Sequence, residues 1–135
     1  MAEPSKKLVL VVDDDKEVRE LIATILPDES YHVVFAESAK KALEFAGHLS
    51  VDLLMTDAML PNMKGRDLAN RICTLQPAVK VLFLSGYSAE TLINHGIFPS
   101  GAYSLGKPIT EKSLLTRVRT ILEEGEPWKK VAATS

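Results

Sequence analysis

Five short runs rich in apolar residues recur along the chain, at positions 8–12, 31–36, 51–57, 79–84 and 102–105, and none carries a helical period. Such runs, bounded by Gly, Pro and Asp, read as strands buried on both faces. Between them the spacing changes. Val18, Leu21, Ile22, Ile25 and Leu26 occupy the i, i+3, i+4, i+7 and i+8 positions of one helix face and stop at Pro27, which predicts a helix over 16–26. Ala39, Ala42, Leu43 and Ala46 form a second stripe, with Ser38 placed to cap it and Gly47 to close it. Leu68, Ile72 and Leu75 mark a third helix that must end near Pro77. Only Leu92 and Ile93 give 88–95 an apolar face, so a fourth helix there is short and Gly96 ends it. Leu114, Leu115, Val118, Ile121 and Leu122 line a final helix that stops at Gly125. Strands alternating with helices imply an α/β fold, a parallel sheet covered on both faces through right-handed crossovers. One domain over 8–124 is expected, with 1–7 as a polar leader and 125–135, including the lone Trp128, as a tail or linker.

The strand ends carry the chemistry. Asp13 and Asp14 follow the first strand, Asp57 closes the third, Ser85 the fourth, and Lys107 stands just after the fifth. In an open α/β sheet ligands bind outside the carboxyl ends of the strands, so these five groups gather at the expected edge. A single Asp there is most simply an N-cap, the reading that suits Asp15. Three clustered carboxylates differ, because they repel one another unless a cation lies among them, and an all-oxygen set of carboxylates, a carbonyl and water suits magnesium. Asp57 is then both metal ligand and nucleophile, while the Ser85 hydroxyl and the Lys107 ammonium complete a cage for a phosphoryl group.

Composition narrows the partners. The 135 residues are 46% apolar with a net charge of −2, which fits one globular domain and gives no broad basic surface for nucleic acid. The first apolar run is cut by Asp13-Asp14-Asp15, which excludes a signal-peptide core, and no run approaches a membrane span, so a cytoplasmic protein is expected. Cys73 has no cysteine partner and reads as a small core residue. His32, His48 and His95 lack the paired spacing of a zinc site. Asp52, five positions before Asp57, belongs to the opposite strand face and the far edge of the sheet, a structural place. Lys40, Lys41, Glu44, Lys64, Arg66, Asp67, Arg117 and Arg119 read as solvated faces.

Val-Val-Asp-Asp, Leu-Leu-Met-Thr-Asp, Met-Leu-Pro-Asn-Met-Lys-Gly, Leu-Ser-Gly and Lys-Pro, in this order at these strand ends, resemble the receiver domains of response regulators in two-component phosphorelay signalling. The resemblance spans roughly positions 7–124 and implies a flavodoxin-like sheet of order 2-1-3-4-5. It further implies that Asp57 accepts a phosphoryl group from the phosphohistidine of a histidine kinase or histidine phosphotransfer protein. Asp14, Asp57 and the Met59 carbonyl would bind Mg2+ directly, and Asp13 would hold a metal-bound water. Ser85 and Lys107 would hold the phosphoryl oxygens, and Lys107-Pro108 would be cis. Such a protein is no enzyme beyond its own phosphorylation and dephosphorylation. It would signal by conformational change to a downstream protein partner, as a monomer or a phosphorylation-linked dimer.

Two other classes share parts of this pattern. A phosphatase with an aspartyl nucleophile would want a second acid two residues later, where Met59 stands, and a phosphorylation-independent interaction module would not need the intact set of five. A flavin or dinucleotide site would need a Gly-rich turn after the first strand, which is missing. Three departures from the receiver pattern stand out. Ser85 replaces the commoner threonine, and Lys64 sits where an acidic or small polar residue is frequent. Ser104 holds the place of a switch aromatic three positions before the lysine, with Tyr103 beside it on the other strand face. Output is then expected to rest on the loop 86–88 and the short fourth helix.

Overall fold

The computed structural model describes residues 6–131. Ten elements alternate along it: β1 (Lys7–Val12), α1 (Lys16–Ile25), β2 (Tyr31–Ala36), α2 (Ala39–Ala46), β3 (Leu53–Asp57), α3 (Gly65–Leu75), β4 (Lys80–Ser85), α4 (Ala89–Asn94), β5 (Tyr103–Gly106) and α5 (Glu111–Glu124). Every strand pair is parallel and the order is β2-β1-β3-β4-β5, so the architecture is the flavodoxin-like α/β fold expected from the sequence. Strands and helices lie within one or two residues of their predicted bounds.

Strand alternation divides the apolar residues between two cores. Val9, Val11, Leu53, Met55, Leu82 and Leu84 face one side and pack with Ile22 and Ile25 of α1 and Leu114, Val118 and Ile121 of α5. Leu10, Val12, Leu54, Val81 and Phe83 face the other, under Ala39, Ala42 and Ala46 of α2 and Leu68, Ala69 and Ile72 of α3. Four of the five helices begin at side-chain caps, those of α1 and α2 at the predicted Asp15 and Ser38. The Asp15, Ser38, Ser88 and Thr110 side chains accept from backbone N–H groups of the first turns of α1, α2, α4 and α5.

The amino-terminal edge of the sheet is closed by polar groups paired within the protein. Asp52 Oδ2 accepts from the Leu8 N–H at 2.8 Å, and the Gln76 side chain binds the Val51 N–H and the Ala46 and Leu49 carbonyls. One polar expectation is corrected. Arg66 is buried, not solvated: it is the second residue of α3, and its guanidinium donates to the Gly96 carbonyl just past α4. Past α5 the described part of the tail lies against the domain. Trp128 is buried in the α2/α3 core, and residues 126–131 pack on the domain; positions 132–135, like the leader up to residue 5, lie outside the described residues.

Candidate functional site

Parallel strands deliver their carboxyl ends to one edge, and there the structure brings together Asp13, Asp14, Asp57, Ser85 and Lys107. One carboxylate oxygen from each of Asp13, Asp14 and Asp57 lies within 4.8 Å of the other two. Lys107 Nζ bridges two of the acids, at 2.9 Å from Asp57 Oδ2 and 3.1 Å from Asp13 Oδ2. The loop after β5 is tied down by the Lys107 N–H, which donates to the Ser85 carbonyl at 2.7 Å, and the Lys107-Pro108 bond is cis.

Two of the acids, Asp13 and Asp57, are oriented by backbone. The Asp15 N–H donates to Asp13 Oδ1 and the Met59 N–H to Asp57 Oδ1, both at 2.9 Å. The Tyr87 N–H donates to Ser85 Oγ, also at 2.9 Å. Gly65, the first residue of α3, folds the turn after β3 back onto the backbone of Asp57 and Ala58. A Cβ there would lie 2.5 Å from the Asp57 carbonyl oxygen and 3.3 Å from the Phe83 ring, so only glycine fits. The side chains of Met59 and Tyr87 stand largely exposed, 47% and 66%.

Charge at this edge is not balanced by the protein alone. Asp13 is fully buried, and burial pushes its carboxyl above the ordinary value, against the opposing pull of the Asp15 N–H and Lys107. For Lys107 burial works downward, but hydrogen bonds to Asp57 and Asp13 and their charges outweigh it and raise its affinity for the proton. One ammonium thus sits among three acids. Hard oxygen donors this close, with a net negative excess, fit a small divalent cation such as magnesium.

Arg19 escaped the sequence reading. It lies one turn into α1 and its Nη1 donates to the Asp13 carbonyl at 2.7 Å, steadying the backbone that presents the first two acids. Its place one turn after the Asp15 cap was the available signal, but a charge on a helix face has no visible partner in sequence. Asp52 stays at the far edge, and Tyr103 packs with the α1/α5 core, away from Ser104.

Residues 9–119 match the response regulator receiver domain family, and the chain belongs to it. Among curated proteins it is similar to the response regulator receiver protein CpdR of Brucella abortus, 29% identical over 86% of this chain and 97% of that one. It also resembles the transcriptional regulatory protein CpxR of Escherichia coli, 31% identical over 84% of this chain. There it spans 48% of the relative's length, as with several other curated relatives of which it covers about half. Among solved structures, the signal receiver domain of an HD domain-containing protein from Pseudomonas fluorescens superposes with a TM-score of 0.78 at 30% identity, covering 90% of this chain and 98% of that one. A CheY-like receiver domain from Methanospirillum hungatei gives 0.75 at 28% identity, with 90% and 97% covered. The chain is therefore a receiver module of two-component signalling, with the acidic pocket and lysine of that family. No helix among the described residues is long and apolar enough to cross a membrane.

Proposed function

We propose that this receiver unit, residues 8–124, accepts a phosphoryl group on Asp57 from a phosphohistidine and passes the signal on by a change of shape. The observation that carries the reading is Lys107 Nζ held between Asp57 and Asp13, within a pocket whose three acids share one small volume. A carboxylate oxygen of Asp57 attacks phosphorus, the P–N bond of the donor breaks, and the imidazole leaves with a proton from solvent. The Met59 N–H on Oδ1 holds the carboxylate in place as the other oxygens come into position. Lys107, its charge secured by its raised proton affinity, pairs with the phosphoryl oxygens, and the Ser85 hydroxyl donates to one of them. Magnesium held directly by Asp14, Asp57 and the Met59 carbonyl, and by Asp13 through a water, would offset the phosphoryl charge. A histidine kinase or histidine phosphotransfer protein is the donor class and a downstream protein is the recipient, with no catalysis beyond the domain's own phosphorylation and dephosphorylation.

Incubation with magnesium and acetyl phosphate, followed by intact mass analysis, tests the acceptor role. One alkali-labile phosphoryl group is expected on the full chain and none on Asp57→Asn; an unmodified wild-type chain overturns the reading. Its lifetime should be long, because Met59 and Tyr87 flank the pocket and neither side chain can activate a water. Replacing both by serine should shorten the half-life several-fold, and an unchanged half-life would rule out shielding.

A further inference from the structure

Gly125 turns the chain off α5 at a point where a Cβ would lie 2.5 Å from the Ile121 carbonyl oxygen. The segment 126–131 then crosses the amino-terminal edge of β5 and β4 onto the face covered by α2 and α3. Three elements hold it. Tyr103 Oη at the start of β5 accepts from the Glu126 N–H at 3.0 Å, and the Val79 carbonyl before β4 accepts from the Trp128 N–H at 2.8 Å. Asn70 of α3 binds the Trp128 indole N–H at 2.9 Å, the Val131 N–H at 3.1 Å and the Val131 carbonyl at 2.8 Å.

The docked indole compensates for what this face lacks. α4 has only six residues, and in the β4–β5 register Phe83 stands opposite Ser104, which offers little apolar cover. Trp128 meets Phe83 edge-on with ring centroids 5.4 Å apart, while Phe98 stacks on the same ring at 5.1 Å. Phe83 lies on the sheet face of Ser85, two residues on, and its ring also packs under Gly65, in the turn that follows Asp57. One aromatic ring therefore touches both the turn behind the acceptor and the anchor of the carboxyl-terminal segment.

We propose that residues 126–131 are a strap whose seat depends on the state of Asp57. Loading the pocket draws Ser85 and the 57–65 turn inward, displaces Phe83 and frees Trp128, exposing the apolar surface of Val79, Val81, Phe83 and Phe98. The proposal rests on the acceptor reading above, and it gives the strap the part that an aromatic on β5 cannot play here. Contact alone does not establish coupling, so the test must read the strap while the pocket is changed.

Trp128 is the single tryptophan of the chain, and its emission therefore reports the strap directly. The 135-residue chain is titrated with beryllofluoride and magnesium while emission, acrylamide quenching and tryptic cleavage after Lys129 and Lys130 are followed. Loading should shift emission to the red and speed cleavage several-fold in the wild type, with no change in Asp57→Asn. Asn70→Ala should cleave rapidly even with the pocket empty. Where mass analysis shows the added phosphoryl group, unchanged emission and cleavage overturn the strap and leave the acceptor role standing. Absence of any added phosphoryl group removes both.

Discussion

The two edges of the sheet are made by the same five strands and are finished in opposite ways. At the amino-terminal edge the polar side chains are matched by partners within the fold: Asp52 takes the Leu8 N–H, Gln76 and Asn70 each make three hydrogen bonds, and Trp128 seals the gap. At the carboxyl edge three acids face one lysine, and the balance is left to something from outside. Stability is concentrated at the first edge and reactivity at the second, because a group already satisfied has little to offer a ligand.

Substitutions can separate the two. Trp128→Ala should have the largest effect on the fold, costing about 3 kcal/mol as a buried aromatic is removed. A urea midpoint unchanged by it would mean that the strap contributes nothing to the amino-terminal seal. At the other edge, Asp14→Asn should weaken magnesium binding by about tenfold, since the charge of the ligand set governs affinity for the ion. Calorimetry on the folded variant reads this, and equal affinity would remove Asp14 from the ligand set. Asp52→Ala should cost about 1 kcal/mol through the abandoned Leu8 N–H and leave magnesium binding alone.

The smallest effect comes from pH. Because the Asp13 carboxyl is raised above 3.8 in the fold, its contribution to stability is full below that value and is lost as pH rises through the raised one. Metal-free wild type should therefore fall behind Asp13→Asn in thermal stability as pH climbs from acid to neutral, although the variant binds magnesium less well. Parallel melting curves across that range would expose an error in the sign.

Much of this contrast is legible in the chain. Continuous apolar runs marked the strands, Ser38 and Asp15 marked helix starts, and the acids and lysine were found because they follow strand ends, which a parallel sheet must bring to one edge. The features that escaped depend on distant backbone. Arg66 reads as a surface charge because its acceptor, the Gly96 carbonyl, is thirty residues away and carries no sequence signature. Trp128 lies in an extended segment without periodicity, so nothing local reveals that Asn70 and Phe83 are waiting for it. Arg19 joined the site through a main-chain oxygen, a partner that every residue possesses.

Gly65 bears on how such a sequence can drift. The position carries no functional group, yet the Asp57 carbonyl oxygen and the Phe83 ring leave no room for a methyl there. A saturation library selected for signalling would show position 65 as intolerant as Asp57, while the neighbouring Lys64, half-exposed and without a side-chain capping bond, would accept many residues. Mutational intolerance in this protein thus maps both the chemistry and the space the chemistry is folded into, and only a structure tells the two apart.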